Sequence, residues 1–363
     1  SQYLPNSIRL TYKPRNAPAL CSHSDAGEFL ICGWRRNGTP LSFVVEHGAH
    51  GGPGSEETSG FALLPPDAPP HTGKLRPGNL RRMGQALLRR ERSRRGRPPA
   101  SSPDTLRLVT YNVHSCVGID GRLSPARIAR VLAGLSPDVV ALQELDVCRP
   151  WTGCVDQAAE IARDLEMELH FHPCINVTGE QYGNAILSRY PIQLIKSELF
   201  PDTDPHREPR GAMWVRVDAG GQSLDVISTH LGLSPRERIQ QIEALLGREW
   251  LAHPDCGDHA VLCGDLNAMP GSRVYRRIAR QMRDAQRALP GHRPRRTWFS
   301  PFPLSRIDHV FVSPSIDVDS VDVPRTAVTR VASDHLPLSV VLRLAPSEAA
   351  DDARKQTTVD SWT

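Results

Sequence analysis

Ala260-Val261-Leu262-Cys263-Gly264-Asp265-Leu266-Asn267 is the stretch from which the fold can be read. A short apolar run with the length of a buried strand closes on an acid and an amide. Asp265 and Asn267 stand two residues apart, so on an extended backbone both side chains leave the same face and could handle one nucleophile together. The same pattern recurs in both directions. Asn112 follows the apolar run 106–110, Glu144 follows 139–142 and His230 follows 224–228. Asp308 and the pair Asp334-His335 instead precede the runs 310–312 and 338–342, and they reach the same rim if those two strands point the opposite way. A mixed sheet assembly would then gather these side chains at one edge.

Helices alternate with the runs. Ser124-Pro125 supplies an N-cap and a first-turn proline, and Ile128, Val131, Leu132 and Leu135 follow at helical spacing before Pro137. Ser234-Pro235 does the same ahead of Ile239, Ile242, Leu246 and Trp250. The fold class is therefore α/β (α+β). Singly, each polar residue has an ordinary structural reading: Asp-Leu-Asn is common turn chemistry, Ser-Asp-His closes a local turn, and a lone histidine packs in a core. Jointly they do not, because acids and histidines gathered at one edge need a cation or a substrate to compensate their desolvation.

The chain has 363 residues, 39% hydrophobic and 23% charged, which excludes a single small module and wholesale disorder. No window approaches the roughly 18 apolar residues of a membrane span, and the first ten residues lack a secretory pattern. Neither anchor nor signal peptide is expected within this chain, and a cytoplasmic location follows unless an upstream segment supplies one. A net charge of +4 is too slight to declare a nucleic-acid binder. The eight cysteines are scattered with no C-x-x-C pair, which argues against a thiolate zinc site and for reduced, mostly buried thiols.

Four regions are expected. Residues 1–80 are rich in Gly, Pro and His, with short strand-like runs at 28–32 and 41–45. Residues 81–104 form a linker, whose eight arginines between Arg81 and Arg97 either stay solvated or tether an anionic partner. Residues 105–345 form the working domain, and 346–363 a disordered tail.

Seven strings carry a family resemblance: Tyr111-Asn112-Val113-His114, Leu142-Gln143-Glu144, Tyr182-Gly183-Asn184-Ala185-Ile186-Leu187-Ser188, Ser228-Thr229-His230, Gly264-Asp265-Leu266-Asn267-Ala268, Arg306-Ile307-Asp308-His309-Val310-Phe311 and Ser333-Asp334-His335-Leu336-Pro337. In this order they resemble the motifs of the endonuclease/exonuclease/phosphatase superfamily, the DNase I-like group that includes abasic-site endonucleases, neutral sphingomyelinases and inositol polyphosphate 5-phosphatases. The resemblance spans residues 106–344 and implies a four-layered sandwich of two mixed β-sheets flanked by helices.

Residue by residue, the resemblance implies that Glu144 is the principal ligand of Mg²⁺ or Mn²⁺, with Asn112 beside it and Asp334 in support. It makes Asp265 the base or orienting carboxylate for water and Asn267 its positioner. His335 would donate to a phosphoryl oxygen, Asp308 would orient His335, and His230 would be a second catalytic histidine. Arg210 and Asn184 are candidate substrate contacts; Arg210 is either a phosphate clamp or half of a surface ion pair. The implied activity is a divalent-metal-dependent phosphodiesterase acting on a nucleic acid or a phospholipid headgroup. The alternative is an inactive module that binds phosphoesters or a protein.

The Trp-x-Gly-Asp and Pro-x-Trp-x-Asp-Arg strings of the inositol phosphatases are absent, and the chain is most similar to short bacterial members. Trp298, Phe299 and Phe302 read three ways, as a stacking platform for a base, an apolar lip for a lipid, or loop residues packed on the core. His292, Arg293, Arg295 and Arg296 supply some of the basic surface a nuclease needs. No exposed apolar hairpin suited to a lipid enzyme is identified. In residues 1–80, Glu46-His47-Gly48-Ala49-His50-Gly51-Gly52-Pro53-Gly54 is similar to the last metal-ligand segment of the alkaline-phosphatase superfamily. That implies the remnant of a metallo-hydrolase domain, and the other reading is a glycine-rich structural loop.

Overall fold

The computed structural model describes residues 105–201, 207–219 and 221–344, together with strands β1 (Ile31–Gly33) and β2 (Gly60–Ala62), which form an antiparallel ribbon. The linker, its arginine run, the histidine-glycine segment and the tail lie outside the described residues. The chain divides into two compact units, Ser1–Arg97 and Pro98–Thr363.

In the second unit the strands are β3 (Thr105–Asn112), β4 (Val139–Val147), β5 (Glu168–Val177), β6 (Glu180–Ser188), β7 (Ile192–Leu199), β8 (Gly211–Asp218), β9 (Ser223–His230), β10 (Ala260–Asp265), β11 (Arg283–Asp284), β12 (Asp308–Val312), β13 (Ile316–Asp322) and β14 (Leu338–Leu344). They build two six-stranded sheets, ordered β13-β14-β3-β4-β6-β5 and β11-β12-β10-β9-β8-β7. Each sheet is mixed in the same way. β3 and β4 are parallel, and β14 runs antiparallel beside β3. β9 and β10 are parallel, and β12 runs antiparallel beside β10. Residues at the ends of β3, β4, β9 and β10 therefore share an edge with residues at the starts of β12 and β14, as expected from the sequence.

Side-chain alternation assigns the faces. Leu106, Leu108, Val226, Val261 and Val310 point into the core between the sheets. Val109, Tyr111, Val140 and Leu142 turn outward to pack under helices α1 (Pro125–Leu135) and α2 (Gln157–Leu165) through Ile128, Leu132 and Ile161. Trp214, Ile227, Leu262 and Phe311 do the same under α3 (Pro235–Leu245) and α4 (Arg273–Ile278) through Ile242, Leu245, Val274 and Ile278. The result is a four-layered sandwich. Two short helices, α5 (Ala285–Ala288) and α6 (Thr329–Ala332), complete the second unit.

The helix signals hold with two adjustments: Ser234 stands at the N-cap position of α3 without a side-chain capping bond, and that helix ends early. Ser124 accepts from Arg127 N and caps α1. The helix after Ser234-Pro235 stops at Leu245, earlier than the spacing through Trp250 predicts; Trp250 packs in the same apolar cluster from the turn that follows, where burial matters and helical phase does not. Of the six described cysteines, Cys116, Cys174 and Cys263 are buried, whereas Cys148 and Cys154 are exposed, so burial is less general than expected. Among the described residues no helix is long and apolar enough to cross a membrane.

Candidate active site

The site is assembled by three neighbouring strands from each sheet. β3 delivers Asn112, β4 delivers Glu144, and the turn before β14 delivers Asp334 and His335. β9 and β10 end on His230 and Asp265, and β12 begins with Asp308. Two local distortions aim the acids. The β4–β6 register shifts between Leu142 and Leu145, and Glu144 within this bulge adopts φ 61°, a left-handed conformation that redirects its carboxylate from the sheet to the rim. Gly264, just before Asp265, has φ 134°, and a Cβ there would meet the Thr229 carbonyl oxygen at 1.8 Å. Only glycine lets β10 approach β9 this closely.

A chain of contacts joins the two sheets. Asn112 Nδ2 donates to Glu144 Oε1 at 2.8 Å and lies 3.1 Å from Asp265 Oδ2, bridging both carboxylates. Asp265 Oδ2 is 3.7 Å from His335 Nε2, and His335 Nδ1 is 2.9 Å from Asp308 Oδ2. His335 thus sits between two carboxylates. Burial by itself would lower its pKa, but the Asp308 and Asp265 charges reverse this and raise it to about 10, so the imidazole is cationic. Asp265 is pushed up to about 7, chiefly by burial, with the His335 charge opposing. Burial also raises Glu144.

His230 is the opposite case. Arg210 Nη1 lies 2.8 Å from His230 Nδ1, and because a guanidinium can only donate, Nδ1 must be the acceptor and the proton resides on Nε2. Burial and the adjacent Arg210 charge hold the imidazole well below its ordinary range, hence neutral. Its Nε2 faces Asp265 Oδ2 at 3.5 Å and Glu144 Oε1 at 3.9 Å. Asn267 Nδ2 donates to the Leu231 carbonyl at 2.9 Å and stands 3.2 Å from the same nitrogen without bonding to it, both being N–H donors in this tautomer, while Asn267 N donates to Asp265 Oδ1 at 2.9 Å. One edge therefore holds one cationic and one neutral histidine.

Asn112, Glu144, His230, Asp265, Asn267, Asp308 and His335 meet in this network. Asp334 adjoins it, accepting from Trp298 Nε1 at 3.2 Å and from Ser333 Oγ at 3.3 Å, and its charge acts on Glu144. Arg210 reaches it through His230. The surface ion-pair reading of Arg210 is corrected: the side chain is 8% exposed, and it pairs with Glu208 Oε1 at 2.8 Å from a buried position. Asn184, on β6, points its amide at Cys174 Sγ, 3.9 Å away, a thiol close enough to Arg210 to feel its charge.

The sequence reading missed several supports. Ser333 Oγ donates to the Asn112 carbonyl at 2.8 Å and accepts from His335 N at 3.2 Å, tying β3 to the turn before β14. Tyr182 hydrogen bonds to Arg210 and feels the Glu144 charge. His309 Nε2 holds the Ala268 carbonyl at 2.8 Å, while Arg306 and Tyr275 share Asp284 behind it. Tyr182, Ser333 and His309 all lie inside the quoted strings, so their position was the available signal. Trp298 also anchors Asp334 through its indole N–H.

The donor set fits a hard divalent cation. Glu144, Asp265, Asp308 and Asp334 place four carboxylates here against one imidazolium, and Asp308 Oδ1 is buried with no hydrogen-bond partner. Ligand atoms of Asp265, Asp308 and His335 lie within 4.8 Å of one another. Glu144 is tied to the same Asp265 through Asn112, so a further carboxylate stands beside that group.

The family model of the Endonuclease/Exonuclease/phosphatase family matches residues 109–335. A crystal structure of an endonuclease/exonuclease/phosphatase from Beutenbergia cavernae superimposes with a TM-score of 0.55 at 29% identity, covering 67% of this chain and 72% of that one. The uncharacterised protein YbhP of Escherichia coli K12 is 31% identical over 172 residues, 45% of this chain and 63% of its own, so the chain spans under two thirds of that relative. Mouse tyrosyl-DNA phosphodiesterase 2 is 29% identical over 178 residues, 47% of this chain and 43% of its own. With the family match running from β3 to His335, and so across every residue of the carboxylate–imidazole network, the chain belongs to the Endonuclease/Exonuclease/phosphatase family.

Proposed function

We propose that the protein is a divalent-metal-dependent phosphodiesterase in which water attacks phosphorus in line as the opposite P–O ester bond breaks, the leaving oxygen taking its proton from solvent, without a covalent enzyme intermediate. Asp265 orients the water and takes its proton; an acid whose pKa lies near 7 is matched to that exchange at neutral pH. Asn267 holds the water beside it. His335, kept cationic by Asp308, donates to a non-bridging oxygen as charge builds there, and His230 adds a neutral Nε2–H donor. Arg210 acts through His230 by fixing that tautomer. Glu144 with Asn112, supported by Asp334, would hold Mg²⁺ or Mn²⁺, which when bound supplies positive charge to a phosphoryl oxygen.

One observation carries this reading: Asp265 touches both the Asn112–Glu144 pair and His335, so a base, an imidazolium donor and a cation seat surround one small volume. Every position expected of an active member is filled, which disfavours the inert binding module. The name of tyrosyl-DNA phosphodiesterase 2 supports diester chemistry.

The test is release of p-nitrophenol from bis-p-nitrophenyl phosphate with Mg²⁺ or Mn²⁺. His335→Ala and Asp265→Asn should each lower turnover by about 10²–10⁴ with an unchanged far-ultraviolet circular dichroism spectrum. Excess EDTA should abolish release. Full activity in EDTA, or in either variant, contradicts the proposal.

A further inference from the structure

The catalytic edge carries a feature that phosphoryl chemistry does not need. Residues 298–305, Trp-Phe-Ser-Pro-Phe-Pro-Leu-Ser, contain no charge. They fold into a hairpin: Trp298 bridges Ser305, Leu304 N and Ser305 N donate to the Trp298 carbonyl at 2.7 and 2.6 Å, and Phe302 N closes the tip on Phe299 O at 2.9 Å. This is the exposed apolar hairpin that the sequence reading did not find. Its base is latched to the site, since Trp298 also bridges His335 and Ser300 N donates to the Asp334 carbonyl at 2.7 Å. Its tip stands in water, with Phe302 71% and Leu304 68% exposed. Met269, two residues after Asn267, and Leu233, three after His230, are 57% and 72% exposed. At about 3.6 Å per residue at most, neither can lie far from the site.

The segments that flank the hairpin carry cations, while the acids nearest it, Asp308 and Asp334, belong to the site and Asp322 pairs with Arg295. Residues 285–307 and 323–333 hold seven arginines and no acid. Arg293, Arg296 and Arg325 are exposed and pair with no acid among the described residues, and Arg325 Nη2 donates to the Pro301 carbonyl at 3.4 Å, at the hairpin itself. An uncharged tip set ahead of cations is the arrangement that enters a headgroup–acyl boundary, with arginines left at the anionic surface. A nucleic-acid strand calls instead for stacking faces along a basic groove. Leu233, Met269 and Leu304 are aliphatic, and the hairpin's exposed side chains crown a projecting turn.

We infer that this edge is an interfacial face: the hairpin tip inserts into an anionic membrane surface, and the phosphodiester that reaches the site is a lipid headgroup's. The second half rests on the phosphodiesterase reading above. The full chain is sedimented with vesicles of phosphatidylcholine alone and of equal parts phosphatidylcholine and phosphatidylglycerol, as wild type and as Phe302→Ser/Leu304→Ser. Wild type should pellet with the anionic vesicles and not with the neutral ones. The double variant should lose at least about tenfold in vesicle affinity. Its hydrolysis of soluble bis-p-nitrophenyl phosphate should not change. Wild type left in the supernatant with both vesicles, or a double variant that binds as well as wild type, overturns the interfacial face. So does a single-stranded oligonucleotide that binds wild type and is released by the double variant, which reassigns the face to nucleic acid. Vesicle binding without diester hydrolysis in Mg²⁺ overturns the catalytic reading and leaves the docking face standing.

Discussion

Two histidines at one sheet edge carry opposite charge states because their Nδ1 partners differ. Asp308 on His335 stabilises the imidazolium, and Arg210 on His230 forbids it. Removing the anion should therefore lower the His335 pKa: in Asp308→Asn the alkaline limb of the pH–rate profile should move down from about 10, the position to which the neighbouring carboxylates raise it, and kcat should fall. The sign is fixed, since loss of a negative neighbour disfavours the protonated form. Arg210→Gln removes the obligatory donor from Nδ1. The ¹⁵N resonances of His230 should then show a mixture of tautomers where wild type shows Nε2–H alone, and kcat should fall more than KM rises. A wild-type spectrum with Nδ1 protonated contradicts the assignment. Asp308 was expected to orient His335, but Arg210 was not paired with His230 from sequence, because a phosphate clamp and a tautomer clamp are the same residue until its neighbours are known.

The strand is the element that positions this chemistry, and the parallel pair β9–β10 is its tightest point. Gly264→Ala would drive a Cβ into the Thr229 backbone at a φ that other residues rarely adopt. We expect a loss of more than about 3 kcal/mol in urea unfolding, together with lower activity, because His230 and Asp265 end the two strands being forced apart. Gly134→Ala on exposed α1 is the contrast: the helix has open space there, and stability should rise by up to about 1 kcal/mol. The six strands that feed the site were legible, because short apolar runs and proline-led caps are local signals; β5, β7, β8, β11 and β13 were not read as strands. The bulge at Glu144 and the hairpin 298–305 were not, since each forms through bonds to segments elsewhere in the chain: β6 for the bulge, and the turn before β14 for the hairpin's base.

At the scale of the whole molecule, two sheets share one core and one acidic edge. Folding brings carboxylates from both sheets together, so a cation bound there must stabilise the native state by mass action. Mg²⁺ at about one hundred times its dissociation constant should add about 2.7 kcal/mol and raise Tm in a calorimetric scan. Glu144→Gln should abolish that rise while leaving the metal-free Tm no lower, because burial already disfavours the ionised carboxylate. A Tm indifferent to Mg²⁺ in wild type removes the cation seat. The amino-acid sequence by itself determined the mixed α/β class and the order of the edge residues, because short apolar runs, helix caps and polar residues at strand ends are written within a few neighbouring positions; the four-layered sandwich followed from the family resemblance those residues carry. Only the tertiary structure decided which histidine is charged, that Arg210 is buried against one of them, and that an apolar hairpin projects beside the acids. Protonation and exposure depend on partners brought from elsewhere in the chain, and those partners exist only after the two sheets have packed.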